Sequence, residues 1–435
     1  MRRTILAAAA LVMLGASTTV GLAAAPATAA PARRPVVFVH GAAGSAAQFE
    51  TQAKRFAGNG YPVDLVDAID YDYTFTAETS SAVLNRLEQR IDQLRRQTGA
   101  TQVDLVAHSL GTFLSQDFLR SWTRAAKVAH YVNLDGATAL SPPGGVSTLA
   151  IWGEGATLRR IWGATNVYQS DQSHTQTVTS VQSFQQMYRF FTGGAPATTD
   201  VVAEPGPISL SGRAVLFPAN DPATGTRVDV YEVDPGTGRR RTAQPLAQYA
   251  IGADGAFGPF SAAPGARYEF AVNHSTGQVQ HQYFQPFQRT DRLIRLLTNR
   301  PGEGIGGRVP VSPRHSALTI TRYKEWWGDQ GTSGDSLTVD GVELLNAVTA
   351  PRERRVIGVF AHDQNLDQRT DTSADLADFD ETFLTGIDVY IPADADASGA
   401  ITLAVRSRAG GGTQRFTVPN WPSDTDRIAV TVADL

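Results

Sequence analysis

Short apolar runs alternate with amphipathic stretches from Pro35 to about Gly194. Pro35-Val-Val-Phe-Val39 reads as a buried strand, and so do Val63 to Val66, Val103 to Ala107 and Val128 to Leu134. Between them Val83, Leu84, Leu87, Ile91 and Leu94 recur every three or four residues, the spacing of one helix face. Ser80 or Ser81 is placed to cap this helix and Gly99 to stop it. Phe113, Leu114, Phe118 and Trp122 repeat the spacing further on. Strand, helix, strand, helix requires crossover connections, and these give a parallel sheet flanked by helices.

The pattern changes near Gly193. The Gly-Gly-Ala-Pro-Ala-Thr-Thr run at 193–199 and Glu204-Pro-Gly-Pro207 read as a linker. Beyond it, long helical patterns largely stop. Arg227 to Val233 alternates and then meets Asp234-Pro-Gly-Thr-Gly238, a hairpin turn. Further strands are expected at Ser316–Thr321, Val356–Phe360, Gly386–Ile391, Ile401–Arg406 and Ile428–Val432. The expected organisation is a first domain over 30–194, a linker over 195–207, a small β-sandwich module over 208–275 and a β-rich domain over 276–435. The tail is thus one or two antiparallel β domains, with no propeller or solenoid repeat.

Composition narrows the function classes. The 435 residues are 42% hydrophobic and 18% charged, which suits a packed protein rather than a disordered one. The 38 Lys plus Arg against 42 Asp plus Glu give a net charge of −4, so no basic excess exists to neutralise phosphates, and nucleic acid is not expected as a partner. The cysteine count is 0, which excludes disulfides, thiolate metal sites and a Cys nucleophile. At the start, Arg2 and Arg3 precede an apolar run from Ile5 to Leu14 and then Ala27-Thr-Ala29. This is the layout of a signal peptide over 1–29, and it predicts a secreted, extracellular protein. The run is shorter than the ~20 residues a membrane span needs, and no later stretch is apolar enough, so no transmembrane segment is expected. The paired arginines leave both the general and the twin-arginine export routes open.

The chemistry is concentrated in two turns. Val103-Asp-Leu-Val-Ala107 runs directly into His108-Ser109-Leu110-Gly111 and then into a helix. A serine between a strand and a helix, with small residues two before and two after it, is a nucleophile elbow. Ala107 stands where the commoner pattern has Gly. The second turn, His40-Gly41-Ala42-Ala43-Gly44, ends the first strand. There a backbone N–H can point to a developing oxyanion, and the expected donors are the amides of Ala42 and Leu110.

A serine nucleophile needs a base of near-neutral pKa, which means His. His40 and His108 belong to the two turns, His130 sits inside a strand pattern, and His274, His281, His315 and His362 lie in the β-rich half. His174, after the candidate strand Thr165–Tyr168, has the right place in chain order. Three acids can orient it. Asp135 ends the strand after the elbow, Glu154 ends the next one, and Asp171 lies three residues from His174. Asp135 is preferred, with Glu154 as the alternative.

With its Ala-His-Ser-x-Gly elbow, the chain resembles the α/β-hydrolases, specifically secreted lipases. Leu134-Asp135-Gly136 resembles the acid-bearing turn of lipases that place the Asp after the strand following the nucleophile. A hydrolase domain followed by a β-rich tail is similar to an archaeal long-chain lipase with a C-terminal β-barrel, and Tyr323-Lys-Glu-Trp-Trp-Gly328 is similar to part of that tail. The resemblance covers about 35–194 well and the tail only approximately. It implies an α/β hydrolase fold followed by an all-β C-terminal domain, and a lipase or carboxylesterase acting on lipidic esters at an interface.

The same triad chemistry also admits an aliphatic polyester depolymerase, a peptidase or an acyltransferase, because the pocket and not the triad selects the substrate. A non-catalytic surface-binding protein on a hydrolase scaffold is the reading from another class; it does not need the complete Ser109, His174 and Asp135 set. No metal or cofactor is required. The acidic run Asp363, Asp367, Asp371, Asp375, Asp378 and Asp380 lacks the EF-hand spacing and reads as a solvated surface. Two aromatic groups stay open. Ile69 to Thr76 is either a small lid or a packed connecting loop. Tyr323, Trp326 and Trp327 are either core aromatics or a docking site for lipid or polymer. Oligomeric state leaves no signal in the sequence.

Overall fold

Six parallel strands form the first sheet: β1 (Val36–Val39), β2 (Val66–Ile69), β3 (Val103–His108), β4 (Val128–Leu134), β5 (Ser147–Trp152) and β6 (Thr165–Tyr168). Their order is β2-β1-β3-β4-β5-β6. The structure, a computed structural model, describes residues 33–434, so the signal-peptide reading of 1–29 lies outside the described residues. The helices are α1 (Glu50–Gly58), α2 (Ser80–Thr98), α3 (Leu110–Leu119), α4 (Trp122–Ala125), α5 (Gln176–Thr179) and α6 (Val181–Thr192). They cover both faces of the sheet. Val37 and Val39 of β1 pack with Val83, Leu87 and Phe118, whereas Val36 and Phe38 pack with Phe56 and Phe184. Burial on both faces is why β1 and β3 read as unbroken apolar runs rather than as alternation.

Local signals hold with small displacements. Thr79, rather than Ser80 or Ser81, caps α2 by accepting from the Ala82 amide, and Gly99 closes it at φ 72°. Val63–Leu65 is a single 3-10 turn entered from Pro62 at φ −56°, and the strand begins only at Val66. The face expected through Phe113 and Trp122 is not the buried one. Within α3, which ends at Leu119, Leu114, Phe118 and Leu119 are buried and Phe113 is exposed, and Trp122, at the start of α4, is exposed too.

In the tail, Ile208–Leu216 pairs with Ala256–Ala262 and Asp291–Thr298, and this sheet faces one containing Arg227–Val233 and Arg267–Asn273. Leu210, Val230, Phe257, Phe270 and Ile294 fill the space between. The boundary expected at 275 falls inside the hairpin that joins Arg267–Asn273 to Val279–Phe284. Polar turn residues bound a hairpin as readily as a domain, and the sandwich continues to Thr298.

The two β regions are also not separate antiparallel units. The last strand, Asp426–Val432, lies between Val279–Phe284 and Leu318–Arg322, parallel to both. One mixed sheet of eight strands therefore spans the tail. Parallel neighbours far apart in sequence leave no hairpin signal. A further sheet carries Ser336–Val339, Ala400–Arg406 and Thr413–Pro419. Among the described residues, no helix is long and apolar enough to cross a membrane.

Candidate active site

Ser109 sits between β3 and α3 with φ 48° and ψ −120°, a left-handed conformation that a non-glycine residue adopts at a cost of about 1–3 kcal/mol. Its surroundings impose it. The Ser109 amide donates to Leu134 O at 3.1 Å, and the amide of Thr112 donates back to Ser109 O at 3.0 Å. The Thr112 hydroxyl adds a bond to the same carbonyl at 2.6 Å. The requirement for small flanking residues is visible at Gly111. A Cβ there would lie 2.4 Å from His40 O and 2.6 Å from Val39 O.

β1 and β3 pair with Val39 opposite Ala107, which brings the turn after β1 beside the elbow. A Cβ on Gly41 would sit 2.9 Å from Ser109 Cβ. His40 shapes this turn and does no proton chemistry. Its Nε2 accepts from the Tyr71 amide at 3.2 Å, so Nδ1 carries the proton and donates to Gly41 O at 2.8 Å. Burial holds its pKa down at about 4, so the ring stays neutral, stacked 4.1 Å from Tyr71. Asn220 of the tail donates to Gly44 O and Tyr71 O, both at 3.0 Å. Leu110 opens α3, so its amide has no acceptor within the helix. Ala42 lies half-buried in the facing turn.

The structure brings Ser109, His174 and Asp135 together. His174 Nδ1 donates to Asp135 Oδ2 at 2.6 Å, which leaves Nε2 to accept from the Ser109 hydroxyl at 2.9 Å. Asp135 directly follows β4, at φ 41°. Its Oδ1 accepts from the Gly153 amide at 3.2 Å and from Arg159 Nη1 at 3.3 Å. Burial alone would push this carboxyl up. The hydrogen bond and charge of His174, the Gly153 amide and Arg159 outweigh it and hold the pKa below the usual carboxylate range. The other acids are elsewhere: Glu154 pairs with Arg352 and Asp171 is exposed, and neither is hydrogen-bonded to His174. His108, strongly depressed by burial and by the neighbouring His174, donates from Nε2 to His174 O at 3.1 Å.

Ile69 to Thr76 is tied down as a connecting loop. Asp72 accepts from the amides of Thr74, Thr76 and Ala77, and Asp70 is ion-paired to Arg213 and Arg295. Tyr323, Trp326 and Trp327 are all buried, so they form no docking surface. Arg322 lies 3.7 Å over Trp326, and Arg408 lies 3.7 Å over Trp327. Between Tyr323 and the two tryptophans, Glu325 accepts from the Thr175 amide at 2.7 Å and from the Ser173 hydroxyl. Sequence reasoning reached this segment through its aromatics and missed the acid among them. It also missed Arg159, Asn220 and Arg408, for which no local motif exists.

Family comparisons agree with this architecture. Residues 33–122 match the model for Lipase (class 2), and residues 206–301 match the Lipase C-terminal domain. The protein is a carboxylic ester hydrolase of the lipase type. A third model, for a C-terminal domain, matches residues 304–435. The break between the last two falls where the sandwich ends rather than near 275. Among solved structures, a lipase from Bacillus licheniformis in propeptide form is 12% identical, with 89% of this chain and 93% of that one covered, at a TM-score of 0.31. Lipase B of Aspergillus fumigatus is 13% identical, covering 38% of this chain and 54% of that one, at 0.30. A predicted CIB-like hydrolase from Thermoplasma acidophilum is 15% identical, covering 36% and 85%, at 0.28. Likenesses this distant carry no function across.

Proposed function

We propose that this lipase is a secreted serine hydrolase that cleaves carboxyl esters of lipids through Ser109, His174 and Asp135. The observation that carries the reading is the relay from Asp135 Oδ2 through His174 to Ser109 Oγ, at 2.6 and 2.9 Å. Ser109 Oγ attacks the ester carbonyl carbon while His174 Nε2 takes its proton. Asp135 holds the imidazole by Nδ1 and stabilises its cation. The amides of Ala42 and Leu110 are the donors to the tetrahedral oxyanion. Collapse expels the alcohol, which leaves with the proton from His174, and an acyl-enzyme remains. Water then attacks this ester, with its proton going to His174, and release of the acid restores Ser109. Every step is acid–base and nucleophilic.

Two features favour lipidic esters. An apolar crevice lined by Phe217, Leu297, Val309, Leu318 and Phe360 reaches Ala43, next to the oxyanion turn. Leu140, Leu158 and Trp162 stand exposed on the loops after β4 and β5, where Arg159 contacts Asp135. They are suited to meet an ester interface in place of the buried tail tryptophans.

The test is hydrolysis of p-nitrophenyl esters from acetate to palmitate by wild type and Ser109→Ala. Activity that rises toward long chains and vanishes in the variant supports the reading. A folded wild type without activity on any chain, or a fully active variant, overturns it. Secretion is checked by N-terminal sequencing of the mature protein from culture medium, expected to begin near Ala30.

A further inference from the structure

We propose that Glu325 is a positioning residue for the hydrolytic centre: its buried carboxylate clamps Ser173 and Thr175 on either side of His174, so the C-terminal domain fixes the place of the general base. The inference rests on the reading of His174 as that base.

His174 stands in an irregular segment between β6 and α5. From within the hydrolase domain, its carbonyl is held by His108 Nε2 at 3.1 Å and by the Thr177 hydroxyl at 2.8 Å. The flanking carbonyls of Ser173 and Thr175 are held within the domain by the amides of Thr177 and Val178, at 3.2 and 2.9 Å, and the flanking residues are also held from outside, across 150 residues of chain. Glu325 Oε1 accepts from the Thr175 amide at 2.7 Å, and Oε2 accepts from the Ser173 hydroxyl. Arg408 adds bonds to Ser173 Oγ at 3.0 Å and to Gln176 Oε1 at 2.8 Å.

Glu325 is itself fixed. Its carbonyl accepts from Arg322 Nη2 at 2.7 Å and from Arg408 Nη1 at 2.6 Å. Both arginines pair with the buried Asp335, at 2.9 and 2.6 Å. An acid with no exposed surface is costly to bury, and packing alone would be served by an apolar residue. What a carboxylate supplies is two acceptor oxygens facing one way. Here one takes an amide N–H and the other a hydroxyl, one residue before and one after the histidine. A base must lie within hydrogen-bond reach of its nucleophile, and a shift of about 1 Å costs about a hundredfold in rate. The active site is therefore completed by the tail.

The experiment compares Glu325→Ala, Glu325→Gln and Ser173→Ala in the full-length enzyme. The readouts are kcat and KM on soluble p-nitrophenyl butyrate, and Tm. Glu325→Ala is expected to lower kcat about 30-fold with KM within about twofold. Glu325→Gln keeps an acceptor for Thr175 and should stay within about fivefold of wild type. Ser173→Ala, which keeps the buried acid and its hold on Thr175, should lose about tenfold in kcat. Arg292→Ala, which removes an exposed ion pair to Asp64 elsewhere between the hydrolase domain and the tail, should leave kcat unchanged.

Wild-type kcat in Glu325→Ala, at whatever Tm, would overturn the clamp and leave only an interdomain contact. If that variant does not fold, wild-type kcat in Ser173→Ala overturns it instead. Activity surviving in Ser109→Ala would overturn the underlying mechanism, an outcome separate from either.

Discussion

Ser109 and His174 meet at 2.9 Å but are held there by different parts of the chain. The serine is fixed by its own neighbourhood. β3, the turn and α3 are contiguous in sequence, and Thr112, three residues on, ties the strained carbonyl down. The histidine, held within its domain by His108 and Thr177 at its carbonyl, is held from afar as well, by Glu325 and Arg408 on loops of the distant β region. A strained strand-to-helix turn can be built from one short motif, because helix and strand supply its geometry. A loop between β6 and α5 has no such frame, and part of its hold comes from outside. The nucleophile is thus a local device and the base a tertiary one.

That contrast can be tested by perturbation. The largest effect is expected for Ser109→Ala, a loss in kcat/KM of at least about 10⁴-fold at unchanged Tm, measured on p-nitrophenyl butyrate. Asp135→Asn should follow at about 10³- to 10⁴-fold in kcat, since the amide disfavours the tautomer that presents Nε2 to Ser109. Gly111→Ala attacks the local frame itself. Its Cβ would meet two backbone oxygens of the β1 turn, so about 3 kcal/mol of stability should be lost, read by urea unfolding. Arg408→Ala attacks the tertiary frame and should cost about tenfold in kcat with little change in KM; equal losses in both would contradict it.

The smallest effect concerns the sheet that joins the tail together. His281 lies between Glu269, at 2.6 Å, and Asp426, at 2.7 Å, with Trp421 stacked on it and Arg240 paired to Glu269. Burial disfavours its cation, but hydrogen bonds to Asp426 and Glu269 and their charges raise its pKa above 6.5. A raised pKa means that this stabilisation is full below 6.5 and is lost as pH rises through the higher folded value. Glu269 is opposite in sign. Burial would push it up, yet Arg240 and His281 hold it down to about 2, so its share is full above 4.5 and lost on acidification toward 2. Tm should therefore fall from pH 6 toward pH 9, and His281→Gln should flatten that fall. An unchanged slope would remove His281 from the account.

Much of the hydrolase domain was legible because its signals are short-range. Gly99, the apolar spacing of α2, and the elbow flanked by Ala107 and Gly111 each act within one turn or one strand. Phe113 misled because it lies one residue off the Leu114–Phe118 face, and Trp122 because spacing identifies a helix face only while the helix continues, and α3 ends at Leu119. Asp135, Glu154 and Asp171 could be ranked but not separated by position alone. Side-chain reach across two strand ends distinguished them, with Arg352 occupying Glu154. The tail aromatics stayed open for another reason. Tryptophan favours exposed docking sites and strand cores alike, and only the tertiary fold puts these two inside, Trp326 in an apolar cluster with Leu337 and Val356 and Trp327 under Arg352 and Arg408.

The sequence by itself determined the parallel α/β order, the strained serine turn and the glycine turn that faces it. Each is dictated by steric limits on a few adjacent residues. Only the tertiary structure decided which acid holds His174, how the last strand joins the two β regions, and that Glu325 reaches the loop of the base. Those depend on residues brought together across 39 to 150 positions, where hydrogen-bond geometry and burial select the partner and no local pattern records it.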